Sequence, residues 1–285
     1  TSLGLGALQI TGGLANVFGN DGYGTTAAAV VIAVLTLCFV ISAVSGVDKG
    51  IKWLSNANAV AAGLLVFFLF VVGPTVFILA TFTESIGGYL THLPTMSFRT
   101  GVFGGSEWLN GWTIFYWAWW VSWTPFVGMF IARISKGRTI RQFVVFVIAV
   151  PSLVSFVWFS ILGGIAFDLQ LNQGEDMAAL VEAGLESTRF DTLRSYPLSS
   201  VTVVLAVFLI AIFFITGADS ASIVMGMLSE NGAEEPRRSV VVFWGCATGS
   251  VAIVLLFADG LSALQTGVII VGFPFLLVLI GLCFS

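Results

Sequence analysis

The segment WTIFYWAWWVSW, Trp112 to Trp123, holds five tryptophans and a tyrosine within an apolar stretch long enough to cross a bilayer. Tryptophans of membrane proteins gather at the two water interfaces, where the ring is half buried and the indole N–H is wet. A span running from about 108 to 131 instead puts Trp117, Trp119, Trp120 and Trp123 near mid-depth. The chemistry such rings offer there is cation–π attraction, about 0.5–2 kcal/mol per desolvated contact, which suits a quaternary ammonium group because it needs no countercharge. At 100° per residue, Trp112, Tyr116, Trp119 and Trp123 form one stripe, Trp120 flanks it, and Trp117 points further round. Packing between helices is the competing reading for any one ring; for the group at mid-depth, binding is the expectation.

Two further sets of residues could support such a site. Pro125 removes one helical hydrogen bond, so a kink or an unwound turn is expected near Ser122 to Thr124, freeing carbonyls beside the aromatic wall. In FFITGADSAS, Thr216, Ser220 and Ser222 offer hydroxyls and Asp219 a carboxylate. An ionisable residue at membrane depth points to function; an interfacial group that caps the next helix is the other reading of Asp219. His92 has no ligand-spaced partner, the cysteines Cys38, Cys246 and Cys283 are not paired in spacing, and there is no phosphate-cradling glycine loop. Neither an enzyme nor an organic cofactor is expected, and the absence of a basic surface argues against nucleic acid.

These residues must be positioned by membrane spans. The 285 residues are 58% hydrophobic and 9% charged, with mean hydropathy +1.02, against roughly 25% charged in a soluble domain. Eight spans are expected, near 1–19, 23–45, 58–81, 108–131, 142–167, 199–218, 239–258 and 264–284. Of 11 basic residues, Lys49, Lys52, Arg133, Lys136, Arg138, Arg141, Arg237 and Arg238 fall in alternate loops, which places 46–57, 132–141 and 229–238 inside and 82–107 and 168–198 outside. The outer segment 168–198 should carry a short helix through Met177, Leu180, Val181 and Leu185, with Glu175 and Asp176 at its N-terminal end, acting as a lid or as a plain connector. Thr1, Ser2, Gln9, Thr11 and Asn16, set among glycines, mark the first span as one that packs against other helices. Gly245 and Gly249 have small-xxx-small spacing, a frequent and weak signal. Thr1 and the apolar end at LLVLIGLCFS suggest a piece of a longer protein.

The run from Trp112 to Phe143, together with TSLGLGALQI, KGIKWLSNAN and FFITGADSAS in this order, resembles the betaine/carnitine/choline transporter family over essentially the whole chain. The resemblance is to the fifth to twelfth helices of a twelve-helix member. It implies an all-α polytopic protein of the LeuT-type inverted-repeat fold: 1–81 as the last three helices of the first repeat, 82–107 as an outer loop, and 108–285 as the five helices of the second. It further implies alternating-access symport of an osmoprotectant quaternary ammonium compound (glycine betaine, choline or carnitine) across the cell (inner) membrane, by a homotrimer. Trp120 matches the family's central substrate tryptophan; Tyr116, Trp117, Trp119 and Trp123 are expected to line the same site. Phe213 and Thr216 match one proposed sodium site and Phe126 a second, with Asp219 nearby. Where sodium-coupled members commonly have Ser, this chain has Gly217, so the coupling ion is Na+ or H+, and loss of that hydroxyl favours H+ coupling or exchange. A carrier of zwitterionic amino acids and a non-transporting membrane sensor remain as alternative functions.

Overall fold

The computed structural model describes residues 2–19, 23–45, 48–233 and 235–284. Thr1 and the side chains of Lys49, Lys52 and Arg133, used above, lie outside the described set. The described residues form helices and connecting turns: α1 (Ser2–Phe18), α2 (Thr25–Ser45), α3 (Asp48–Val72), α4 (Thr75–Ser97), α5 (Ser106–Trp108), a π-helical turn (Leu109–Ile114), α6 (Phe115–Ile134), α7 (Ile140–Asn172), α8 (Met177–Ala183), α9 (Thr188–Arg194), α10 (Ser199–Ser229) and α11 (Arg238–Leu282). Six helices among the described residues are long and apolar enough to cross a membrane, and each coincides with one of the eight expected spans. The other two expected spans correspond to α1, which has 17 residues, and α6, whose Trp and Tyr content lowers its hydropathy.

α1 is the central post. Its small residues let it approach on several sides: Gly6 faces Phe214 of α10, Gly4 faces Leu264 of α11, and Gly13 faces Phe190 of α9 and Val207 of α10. A side chain at any of these would collide with its neighbour, so the polar, glycine-rich composition translates directly into helix packing. Ala7, Ile32, Leu256 and Leu264 form one core where α1, α2 and α11 meet. Leu69, Ile78, Ile165, Leu169 and Phe190 form a second, joining α3, α4, α7 and α9. Gly245 and Gly249 face Phe39 and Thr36 of α2, so their spacing marks a real helix contact. By contrast Phe146, Ile148, Leu153, Val154 and Phe159 of α7 are exposed, as lipid-facing residues are.

Three local expectations are corrected. The third span does not continue to 81: α3 ends at Val72, and Gly73 and Pro74 separate it from α4. Pro74 cannot donate to the helical ladder; the Thr75 hydroxyl donates to the Phe70 carbonyl at 2.7 Å and the Gly73 N–H to Leu69 at 2.9 Å, which closes the break. Most of the segment 82–107 is therefore helix, because α4 lays Ile78 and Tyr89 against Gly164 and Phe156 of α7. Second, α6 stays helical through Pro125, with no unwound turn from Ser122 to Thr124. One proline removes a single backbone bond, the one to the Val121 carbonyl, and the helix continues on either side of it. Third, the span starting at 199 continues to Ser229 and does not stop at 218. The break between the last two spans does occur, at Asp259 (φ −160°) and Gly260 (φ 55°), the latter a conformation that glycine tolerates.

Candidate functional site

The π-helical turn at Leu109–Ile114 inserts an extra residue per turn just before α6 and sets the phase of the rings that follow. Trp112 stacks on Tyr116 with centroids 5.9 Å apart and planes 10° off parallel. Tyr116 meets Trp119 at 5.9 Å and 51°, and Phe115 stacks on Trp119 at 5.5 Å and 24°. The Trp119 indole N–H donates to the Ser2 hydroxyl at 3.1 Å, pinning the ladder to the start of α1. Trp117 and Trp120 are each 69% exposed, Trp120 flanking the ladder and Trp117 lying further round α6. Trp123 is half-buried.

In the expected stripe of Trp112, Tyr116, Trp119 and Trp123, the first three rings thus form a stacked ladder in which Tyr116 and Trp112 stay partly open at 43% and 39%, and the two most open rings are Trp117 and Trp120. Behind them, Ala118 lies against Gly272 of α11, where an added Cβ would stand 2.9 Å from the Ala118 carbonyl oxygen. Deeper along α6, Phe126 meets Phe275 of α11 at 6.3 Å. Sequence reasoning missed Phe115, which is 4% exposed and sits four residues before Trp119, and it did not join Ser2 to the aromatic set.

On α10, Phe213 is exposed and packs edge-on to Phe214 at 5.5 Å, whose ring in turn fills the space over Gly6. The Thr216 hydroxyl donates to the Ile212 carbonyl at 2.9 Å, which leaves its oxygen lone pairs for a cation. Nothing stands within 4 Å of a Cβ built on Gly217, so the missing hydroxyl is not excluded by space. Asp219 is 5% exposed and lies well inside α10, so it does not cap a following helix. Ser222 beside it is 2% exposed and donates to Ala218. The ring and hydrogen-bond partners of Phe213 and Thr216 lie on α10 itself, and among the described residues these contacts do not reach the tryptophans.

A buried carboxylate absent from the sequence reading lies at the outer end of α7. Asp168, 7% exposed, accepts from the side-chain amides of Asn172 (2.7 Å) and Gln173 (2.8 Å). Tyr196 nearby has its pKa raised, first by burial and then by the Asp168 charge. Over the outer end of α1, the expected short helix is present as α8, with Asp176 accepting from the Ala179 N–H at 3.0 Å as its cap. A second short helix, α9, completes a hairpin.

A family model described as BCCT, betaine/carnitine/choline family transporter, matches residues 1–285. The chain belongs to the betaine/carnitine/choline transporter family. Among members of this family, the glycine betaine transporter OpuD of Bacillus subtilis is 50% identical over 282 residues, covering 98% of this chain and 54% of that protein. The glycine betaine/proline/choline/ectoine transporter of Vibrio parahaemolyticus is 44% identical, covering 100% of this chain and 51% of its own length. The ectoine/hydroxyectoine transporter of Virgibacillus pantothenticus is 40% identical, with 98% and 56% covered. The chain spans about half the length of the curated relatives it matches. It is a multi-pass, all-helical membrane protein.

Proposed function

We propose that this chain forms the larger part of the substrate and coupling machinery of a secondary transporter for compact quaternary ammonium osmolytes, glycine betaine foremost. The observation that carries the reading is the pair of open rings, Trp117 and Trp120, held on one face of α6 by a ladder that is itself tied to α1. Each ring contributes about 0.5–2 kcal/mol to a desolvated cation. The names of the relatives, which include betaine, choline and ectoine, support a site that reads a compact cationic group. Residues 1–81 supply the last three helices of the first inverted repeat, 82–107 the outer connection and 108–285 the second repeat. The opposing wall comes from the other half of the transporter, which functions in the cell membrane as a homotrimer by alternating access, without covalent chemistry.

Coupling runs through Phe126, Phe213, Thr216 and Asp219 with Na+ or H+ as the driving ion, and Gly217 leaves the Thr216 site one hydroxyl short. Uptake of labelled betaine, choline and carnitine by the intact transporter in proteoliposomes, with sodium and proton gradients imposed separately, tests both parts. Accumulation driven by one gradient supports the reading. Ligand binding without flux would favour a sensor, and preferential uptake of glycine or proline would favour an amino-acid carrier.

A further inference from the structure

A cavity of about 580 Å³ opens between the outer half of α1 and the α8–α9 hairpin, and it is apart from the open tryptophans. Its size lies within the range of about 300–1,000 Å³ that holds small ligands. Its wall is polar and carries both signs of charge: Glu186 and Asp191 on one hand, Arg194 on the other, with the ring of Tyr23 beside them. Among the described residues Arg194 forms no ion pair with either carboxylate, so the opposite charges face the cavity without neutralising one another. The walls are fixed. Asp191 accepts from the Asn16 side-chain amide at 2.6 Å, Phe190 is fully buried against Gly13, and Gly12 brings α1 to the backbone of Glu186 and Ser187. Asn16 itself is 8% exposed, so the residue that anchors Asp191 is packed inside the wall.

Glu186 and Asp191 outweigh Arg194, so the wall draws a positive group, while Arg194 is left to take a negative one. A molecule bearing both charges is the one that satisfies all three. We infer that this cavity is an outer binding site for a small zwitterion, whose carboxylate lies on Arg194 and whose ammonium end faces Glu186, Asp191 and the Tyr23 ring. The site rests on the transport reading above and deepens it: it lies on the side read as outside and favours carboxylate-bearing osmolytes over choline.

The test is the stoichiometry of labelled glycine betaine on the intact transporter in nanodiscs lacking choline headgroups, so that no lipid supplies the same chemistry. Two sites per protomer are expected in the unmodified protein. One should remain in Trp120→Ala and one in Arg194→Gln or Glu186→Gln, while Arg194→Lys retains both. Choline should fill only the Trp120-dependent site. A single site in the unmodified protein, or a second site untouched by Arg194→Gln and Glu186→Gln, overturns the inference and leaves the transport reading standing. No betaine binding at all overturns both.

Discussion

Gly272 offers the sharpest mechanical test of how the aromatic wall is held. A Cβ at this position would lie 2.9 Å from the Ala118 carbonyl oxygen and 3.2 Å from the Ala118 Cα and Cβ. An ordinary carbon–oxygen contact is about 3.3 Å or longer, so Gly272→Ala asks α6 and α11 to separate by about 0.4 Å. The opposing atoms are backbone and cannot swing away as a flexible side chain could. Overpacking of this kind costs about 1–3 kcal/mol. Ala118 lies between Trp117 and Trp119, so relief by moving α6 displaces the binding rings themselves. If the whole cost is felt at the site, the apparent constant for betaine rises roughly 5- to 150-fold, taking about 1.4 kcal/mol per decade. Saturation uptake by the reconstituted transporter measures that rise, with thermal melting of the purified protein reporting any share taken as lost stability. Gly163→Ala, where nothing lies within 4 Å of the added Cβ, is the control and should change neither. Should Gly272→Ala leave both uptake and melting as they were, the close approach behind the wall does not position it.

Removing the acceptor of the Trp119 indole with Ser2→Ala loses a hydrogen bond worth about 0.5–1.5 kcal/mol and should weaken betaine uptake roughly two- to tenfold; unchanged kinetics would separate the ladder from the site. Gly217→Ser meets no steric barrier, so folding should be unaffected and half-maximal uptake should need roughly tenfold less sodium, equivalent to about 1.4 kcal/mol; indifference to sodium would mean that the Thr216 site holds no sodium. Gly13→Ala forces a methyl group into Phe190 and Val207, costing about 1–3 kcal/mol, and should lower the melting temperature of the purified protein; an unaltered melt would show that the α1–α9 contact contributes little.

The spans were legible because apolar length and basic-loop asymmetry are imposed by the bilayer itself. What hydropathy could not do was distinguish a spanning helix from one that packs beside it. The apolar residues of α3 and α4 run together across Pro74, where the helix breaks, and the contact of Ile78 with Gly164 seats α4 on α7. The polar residues from Thr216 to Ser222 read as the edge of a span, yet α10 continues, because Thr216, Ser220 and Ser222 each return a hydroxyl to a carbonyl one turn back. Pro125 suggested an unwound turn, yet α6 runs helical through it, since a proline removes only one bond of the ladder.

The chemistry proposed for the rings rests on residue type, since few other arrangements explain so many indoles at mid-depth. Which rings are open could not, because the phase of α6 depends on a π-helical turn that leaves no periodic trace in the sequence. The link from Trp119 to Ser2 crosses 117 positions and exists only once α1 has packed. The outer cavity was hidden similarly: Asn16, Glu186, Asp191 and Arg194 look unrelated until the hairpin folds over α1.

The central claim is that open indoles recognise a positive charge and not merely a bulky shape. 3,3-Dimethylbutyrate has the form and carboxylate of glycine betaine, with carbon in place of the ammonium nitrogen. Competition of the two against labelled betaine, in the intact transporter and its Trp120→Ala variant, measures the charge contribution directly. Two rings at about 0.5–2 kcal/mol each predict that betaine competes roughly 5- to 1,000-fold better than the neutral isostere, with the margin reduced in Trp120→Ala. Equal competition by the two molecules, or a margin unmoved by loss of Trp120, would contradict the account.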